Sequence, residues 1–314
     1  MAKLNLSPLG GIKRRLNGLN DKLQNGFFKT QRAIAASFAV DNCVENKEHK
    51  VLLYAMLQLG LDVIIDSRES CVQNTNKYLN AVRPAKLDNL VRIGGQMDGG
   101  YVMLPPPPPQ SSSQPKALSL GVSYYSPWDL EMANMGYKVL QYDASIDGSP
   151  DTHANIIFHK KFVGAIRDHE TITFEDIISE YNFDSKAHNI LQMDIENAEW
   201  AIFEKLDFSV LEKYFSQIIL EFHDCDPRAC LQTDRHVAIL EKFLNAFQPI
   251  HLHYNPNDRI FYVKERFMSS LLEVTYVRKD LLHSNFTLRN ACGDLPNLDY
   301  PNLDKQPNIP IVFS

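Results

Sequence analysis

Residues 189–200 read NILQMDIENAEW, an apolar run that stops at Asp194 and is followed closely by Glu196 and Glu199. The run has the length and composition of a strand that is buried on both faces, as in a parallel sheet. An unpaired charge at the end of such a strand is expensive, so we interpret Asp194 as a functional residue rather than a helix cap. Glu199 falls in the first turn of the next predicted helix, where the helix dipole alone favours a carboxylate.

The segments on both sides of this stretch alternate between strand-like and helical patterns. Strand-like runs lie at 117–121, 138–142, 155–158, 189–193, 217–222, 250–254, 259–263 and 273–279. Helical patterns lie at about 126–136, 173–181, 198–206 and 234–247. Ser126 and Pro127 mark the start of the first of these helices, as N-cap and first helical residue, and Gly136 marks its end. This alternation predicts an α/β fold with a mostly parallel sheet and helices on both faces.

The chain divides into three predicted regions. Residues 1–88 carry apolar positions at helical spacing and predict an N-terminal addition of two or three helices. Residues 89–290 carry the alternating pattern and predict the main domain, whereas residues 291–314 are rich in Pro and Asn and predict a loosely ordered tail. The prolines at 105–109 predict a stiff surface loop rather than an SH3 ligand, because no basic residue flanks them.

The composition argues against several functional classes. The chain has 314 residues and a net charge of −6, so no overall positive field favours nucleic acid or an anionic membrane. No stretch of about 18 apolar residues is present, which predicts a cytoplasmic protein without a membrane span. The five cysteines form no CxxC pair and predict no disulfide framework, and the Cys225-x4-Cys230 spacing alone is a weak metal pattern.

In doubly wound sheets, ligands bind at the carboxyl ends of the strands. The first strand ends in Gly121-Val122-Ser123, and the second ends at Asp143. The sequence separation between Gly121 and Asp143 is close to the roughly 20-residue spacing at which an acid reaches the ribose of a bound nucleoside. Tyr124 follows where a pyrophosphate would need glycine, so the pattern favours a ligand without phosphates. A loop or capping role for Asp143 stays open.

The strand at 217–222 leads into a second group of polar residues. Glu221 and His223 share a face, because side chains alternate along a strand. If this strand is the neighbour of 189–193, Asp194 meets them at one rim. Such a cluster could position a substrate hydroxyl, act as a general base, or hold a divalent cation such as Mg²⁺ between Asp194 and Glu221. A satisfied core histidine is the alternative for His223.

Several segments together resemble one family. LQMDIENAEWAIF at 191–203 resembles the LKIDVEGAE segment of FkbM-type S-adenosylmethionine-dependent methyltransferases, and IILEFH at 218–223 resembles the strand that follows it there. RIGGQMDGGYV at 92–102 resembles the opening of the related methyltransferase-like 24 group. The segment at 119–143 lies where that group carries a degenerate cofactor motif, and EVTYVRK at 273–279 matches its late strand.

The resemblance covers about residues 90–280 and implies a class I methyltransferase fold, with a Rossmann-like, seven-stranded, mostly parallel sheet. It implies S-adenosyl-L-methionine as cofactor and O-methylation of a sugar or sugar-like acceptor. The residues assigned to the cofactor are Gly121, Ser123, Asp143, Asp194 and Glu196, and those assigned to catalysis are Asp194, Glu221 and His223. Asp143 would hold the ribose, and Asp194 would lie beside the methionine end. The family glycine is Asn197 here, and asparagine tolerates a left-handed backbone better than most residues.

Two other functions stay open. A nicotinamide-dependent, sugar-modifying oxidoreductase would need a phosphate-binding glycine loop, and none of the thirteen tyrosines begins a Tyr-x-x-x-Lys dyad. A non-catalytic binding protein that keeps the methyltransferase fold is favoured by Asn197 and opposed by the acids at the strand ends. The acceptor, a small molecule or glycan, would be recognised by the N-terminal helices or the DGGYV segment, and those helices could also form a homo-oligomer interface.

Overall fold

The computed structural model describes residues 8–107, 113–283 and 285–313, with side chains from residue 26 onwards. Contacts divide the chain into a first unit, Met1–Ile65, and a second, Asp66–Ser314. The elements of the first unit are helices α1 (Pro8–Cys43) and α2 (Lys47–Gln58) and strand β1 (Asp62–Ile65). The strand was not predicted, because four residues, DVII, are too few to separate from a helical pattern. Residues 108–112, within the predicted proline-rich loop, lie outside the described residues.

The second unit contains the remaining helices and strands. Its helices are α3 (Glu69–Ala81), α4 (Pro127–Asn134), α5 (Phe174–Tyr181), α6 (Glu199–Lys205), α7 (Phe208–Tyr214), α8 (Cys230–Ala246) and a 3-10 turn (Lys279–Leu281). Its strands are β2 (Val91–Ile93), β3 (Tyr101–Met103), β4 (Lys116–Leu120), β5 (Lys138–Tyr142), β6 (Ile156–His159), β7 (Phe162–Val163), β8 (Thr171–Ile172), β9 (Asn189–Met193), β10 (Phe215–Phe222), β11 (Phe247–Val263), β12 (Arg266–Arg278), β13 (Ala291–Cys292) and β14 (Ile311–Val312). None of the described helices is long and apolar enough to cross a membrane.

Seven strands of the second unit hydrogen-bond in the order β11-β12-β10-β9-β4-β5-β6. The run from β10 to β6 is parallel, and β12 is antiparallel to both of its neighbours. Along the chain, β5 and β6 are added on one side of β4, and β9 and β10 are then added on its other side. The topological switch point therefore lies between β4 and β9. The predicted α/β class and mostly parallel sheet are confirmed, and the second unit contributes seven strands to the sheet.

Local patterns located most elements of this unit well. The strands predicted at 138–142 and 189–193 match to the residue, and β9 is buried along its whole length, as its apolar run indicates. Helix α4 begins after Ser126 with proline at its first turn. The two strands predicted at 250–254 and 259–263 are instead one, β11, which turns into β12 only at its end.

The helical addition ends earlier than the predicted boundary at residue 88, because α3 belongs to the second unit. Buried side chains of α3 pack against α8 and the loop before it. Asn74 Nδ2 donates to the carbonyl oxygen of Pro227 at 2.9 Å, and the Tyr78 hydroxyl lies 3.0 Å from His236 Nδ1. These partners are more than 150 residues away along the chain, so the sequence pattern gives no sign of them.

The C-terminal segment is ordered, which corrects the prediction of a loose tail. Strands β13 and β14 pair, and Ile309 beside them is 2% exposed. Asp299 Oδ1 lies 2.7 Å from His251 Nε2, and Asn302 Nδ2 donates to Glu273 Oε1 at 2.5 Å. Polar side chains of this Pro- and Asn-rich segment therefore bind it to β11 and β12.

His236 makes stability depend on pH. It is buried and stacks on Trp200 with ring centroids 3.6 Å apart, and burial lowers its pKa from 6.5 to about 4. Because the unfolded chain takes up the proton at the ordinary pKa, the folded state loses stability as pH falls from about 6.5 towards 4. We expect His236→Phe, which keeps the ring stacking, to reduce the fall in urea midpoint between pH 7 and pH 4.5. Equal falls in variant and wild type would contradict this assignment.

Candidate functional site

The end of β4 is pressed against the end of β9 at the switch point. Gly121 has a φ of 82°, and a Cβ atom there would lie 1.5 Å from the carbonyl oxygen of Asp194. The Asp194 N–H donates to the carbonyl oxygen of Leu120 at 2.8 Å. Only glycine fits this backbone contact, which holds the two strand ends together beneath Asp194.

Strands β9 and β10 are neighbours, and the predicted meeting of Asp194, Glu221 and His223 is confirmed. The Nε2 atom of His223 lies 3.5 Å from Asp194 Oδ1 and 3.6 Å from Glu221 Oε1. The exposed carboxylate of Glu196 reaches the same nitrogen at 3.6 Å. His223 is 8% exposed, so a nearly buried imidazole faces three carboxylates.

Glu199 belongs to this site, although the sequence predicted only a helix-dipole role for it. Its side chain is 0% exposed, and its Oε1 accepts the His223 backbone N–H at 2.8 Å and lies 3.1 Å from His223 Nδ1. Because Glu199 Oε1 is the acceptor in this contact, Nδ1 carries the proton and Nε2 is turned towards the other carboxylates. The next residue, Trp200, donates from Nε1 to the His223 carbonyl at 2.8 Å. Glu199 thus does far more than favour its helix, and only its burial reveals this.

The cluster shifts the pKa values of its members. Burial raises the pKa of Asp194 to about 7, although the nearby His223 opposes the shift. Burial, together with the charges of Asp194 and Glu273, raises the pKa of Glu221 well above its ordinary value; Glu273 lies directly opposite Glu221 in the β10–β12 register. Burial lowers the pKa of His223, but the hydrogen bond to Glu199 and the charges of Glu199, Asp194 and Glu196 together outweigh it and leave a net increase. Shifts of this kind are typical of functional sites.

The turn after Asp194 is left-handed at two residues, Glu196 with φ 53° and Asn197 with φ 81°. Asparagine adopts this conformation more readily than most residues, as the sequence led us to expect. The turn directs the Glu196 carboxylate, which is 89% exposed, towards His223. Asn197 therefore keeps the left-handed backbone that would otherwise call for glycine.

A cleft of about 520 Å³ opens above the cluster. Six carboxylates line it: Asp98, Asp194, Glu196, Glu221, Asp224 and Asp258. The guanidinium of Arg259 also lines the cleft, but it pairs with Asp224 and with Asp226, each at 3.0 Å. The carboxylates around His223 are therefore not neutralised by this arginine, and the cleft is acidic.

The residues predicted to hold a cofactor do not all line the same space. Gly121, Ser123 and Asp194 line a narrow space of about 70 Å³ that adjoins the cleft. Asp143 lines neither cavity; its Oδ2 accepts from the N–H of Val122 at 3.0 Å, and its Oδ1 accepts from the N–H of Ser145 at 2.6 Å. Its carboxylate joins the loops after β4 and β5, which is the loop role left open by the sequence. The ribose contact stays a prediction.

Asp98 is a site residue that sequence reasoning did not single out. It lines both the cleft and the narrow space. Arg92 holds its loop, donating from Nε to the Gly95 carbonyl at 2.7 Å and from Nη2 to the Met97 carbonyl at 2.9 Å. The Asp98 N–H donates to the Asn302 carbonyl oxygen at 3.1 Å. The available signal was that Asp98 is the one carboxylate in RIGGQMDGGYVML.

No protein-family model matches the chain, and a comparison with curated proteins finds no match. The fold and site by themselves define an α/β protein with a mostly parallel sheet, compatible with a Rossmann-like fold, and an acidic, histidine-centred cleft beside the switch point.

Substitution of Gly121 tests the backbone contact. Gly121→Ala places a Cβ against a carbonyl oxygen in a left-handed residue, and we expect it to lower the free energy of unfolding by about 3 kcal/mol or more. Gly136→Ala is the matched control, because Gly136 has a φ of 92° but no atom within 4 Å of the place that a methyl group would take. The control should cost about 1 kcal/mol in urea denaturation. Equal losses would mean that backbone conformation alone explains the glycine at 121.

Substitution of Glu199 tests whether it holds His223. Glu199→Ala removes the acceptor of two buried N–H groups, and we expect a loss of about 2–4 kcal/mol in the free energy of unfolding. A helix-dipole role alone would cost about 0.3–1 kcal/mol. Glu196→Ala, three residues earlier and exposed, should change stability by less than about 0.5 kcal/mol. A loss at Glu199 no larger than that at Glu196 would refute the role.

Proposed function

We propose that the protein is an S-adenosylmethionine-dependent O-methyltransferase that acts on a hydroxyl of a sugar, glycan precursor or sugar-like small molecule. The observation that carries the proposal is the imidazole of His223, held by a buried carboxylate with Nε2 facing Asp194 beside the switch point of a Rossmann-like sheet. The sheet is compatible with a class I methyltransferase, and ligands of such sheets bind at the carboxyl ends of strands near the switch point.

The chemistry asks for placement and proton removal. When bound, the cofactor supplies an activated methyl group on a sulfonium, so the protein need only align the acceptor oxygen and take its proton. His223 Nε2 or the Asp194 carboxylate, which lie 3.5 Å apart, accepts that proton. Glu199 accepts the Nδ1 hydrogen bond of His223 and stabilises the imidazolium if the ring takes it.

The lining of the cleft supports a hydroxyl-bearing acceptor. Carboxylates and the amides of Asn255 and Asn257 present many acceptors and donors to a polyhydroxylated ring. The same carboxylates repel phosphate groups, which weighs against the pyrophosphate of a nicotinamide cofactor in this cleft. The turn that ends β4 is also poor in glycine beyond Gly121, which is a second argument against a bound pyrophosphate.

Ligand binding tests the cofactor class. S-adenosylhomocysteine and S-adenosylmethionine should raise the melting temperature and give a calorimetric Kd, whereas NAD should do neither. Asp143→Asn should weaken binding at least about tenfold, because its carboxylate orders the two loops beside the cofactor turn. Asp147→Asn, an exposed control nearby, should bind as the wild type does. Stabilisation by NAD alone would overturn the proposal.

Turnover tests the catalytic cluster. A panel of sugars, sugar phosphates and nucleotide sugars is screened for acceptor-dependent release of S-adenosylhomocysteine. Asp194→Asn should retain cofactor binding within about threefold but lose more than about 100-fold in turnover, because it removes a proton acceptor at the reacting hydroxyl. Cofactor binding without turnover on any acceptor would instead favour the non-catalytic binding protein.

A further inference from the structure

We infer that Asp194, Glu196 and His223 form a binding site for a divalent transition-metal cation such as Mn²⁺. One ligand atom from each residue lies within 4.8 Å of the others. The inference stands on this geometry and does not require the methyltransferase activity, so each can fail without the other.

The spacing around His223 is that of ligands to a shared ion. Its Nε2 lies 3.5 Å from Asp194 Oδ1 and 3.6 Å from Glu196 Oε2. Both separations exceed the roughly 2.7–3.2 Å of good hydrogen bonds. Atoms bound about 2.1 Å from one ion lie roughly 3.0–3.4 Å apart in octahedral or tetrahedral geometry. The exposed side chain of Glu196 is free to move its carboxylate closer to the other two ligand atoms, which lie within 4.8 Å of it.

A buried acceptor without a donor points independently to a cation. His223 is 8% exposed, and Glu199 takes the hydrogen bond of its Nδ1 atom. Asp194 Oδ1 is buried without a hydrogen-bond partner among the described residues, and the nearby His223 Nε2 lies 3.5 Å from it, beyond good hydrogen-bond distance. In the neutral ring that donates from Nδ1 to Glu199, Nε2 is an acceptor, and a divalent cation beside Asp194 Oδ1 would bind both atoms. A carboxylate behind the ring, as Glu199 is here, is the usual outer partner of a metal-binding histidine.

The charge around the site favours a cation as well. Glu221 adds a third carboxylate at 3.6 Å from Nε2, and Asp98 lines the same cleft. The nearby cation Arg259 is paired with Asp224 and Asp226 and does not offset these charges. A divalent ion would satisfy the cluster at the point where its negative charges are closest.

The ligand set selects the metal. One imidazole with carboxylates suits Mn²⁺, Fe²⁺ or Zn²⁺, whereas Mg²⁺ and Ca²⁺ prefer oxygen ligands alone. This differs from the sequence-based expectation of Mg²⁺ between Asp194 and Glu221. The Glu221 carboxylate is instead held by Asn255 Nδ2, 3.3 Å from each of its oxygens, and is not one of the three grouped ligands.

Calorimetry on the full chain, first dialysed against EDTA, tests the inference. Mn²⁺ should bind at one site per chain with a Kd in the micromolar range, and Mg²⁺ and Ca²⁺ at least tenfold more weakly. Glu196→Gln, an exposed substitution that leaves the core intact, should weaken Mn²⁺ binding at least tenfold. Asp258→Asn is the control from the same cleft and should stay within twofold, because Asp258 is outside the set.

Electron paramagnetic resonance of bound Mn²⁺ provides a second readout that needs no acceptor. The wild-type signal of free Mn²⁺ should fall on binding, and His223→Gln, checked for an unchanged melting temperature in EDTA, should restore it. Binding that Glu196→Gln leaves within twofold, or no binding at 1 mM Mn²⁺, overturns the site. Tighter binding of Mg²⁺ than of Mn²⁺ overturns the assignment to a transition metal.

Discussion

The hydrogen bonds from His223 to the buried carboxylate of Glu199 organise the rim of the sheet. Glu199 accepts the backbone N–H of His223 and faces Nδ1, so both the path of the chain after β10 and the orientation of the ring are fixed by one acid. Asp194, Glu196 and Glu221 are then arranged around the opposite nitrogen. Burying a carboxylate without a hydrogen-bond partner costs free energy of folding, so Glu199 is stable in this position only while His223 donates to it.

The fold supplies the geometry that this interaction needs. Parallel pairing of β9 with β4 and β10 brings the carboxyl ends of the three strands to one edge of the sheet. Gly121 lets the end of β4 contact the backbone of Asp194 at the end of β9. Across β10, β12 and β11, Glu221, Glu273 and His253 follow in register, so polar groups continue along the same edge. The site is thus an edge of the sheet rather than a feature of one loop.

Distant parts of the chain close the cleft around that edge. The glycine-rich loop contributes Asp98, and Arg92 ties this loop to the C-terminal segment through the carbonyl of Leu298 at 3.0 Å. Asn302 from the same segment donates to Glu273. The result is an acidic space that suits hydroxyl groups and cations, and this shared chemistry links the proposed methyl transfer to the inferred metal site without making either depend on the other.

The sequence by itself determined the α/β class and the positions of the second unit's strands in the main sheet, because periodicity and turn residues are local properties of the chain. It predicted the meeting of Asp194, Glu221 and His223 only on the condition that their strands are neighbours, and the pairing of β9 with β10 met that condition. The tertiary structure alone decided the burial of Glu199, the loop-bridging role of Asp143 and the order of the C-terminal segment. A carboxylate looks the same in a sequence whether it is solvated or buried. Its hydrogen-bond partner decides whether it is solvated or buried. Here the partners are distant along the chain, because His223 lies 24 residues from Glu199 and His251 lies 48 residues from Asp299.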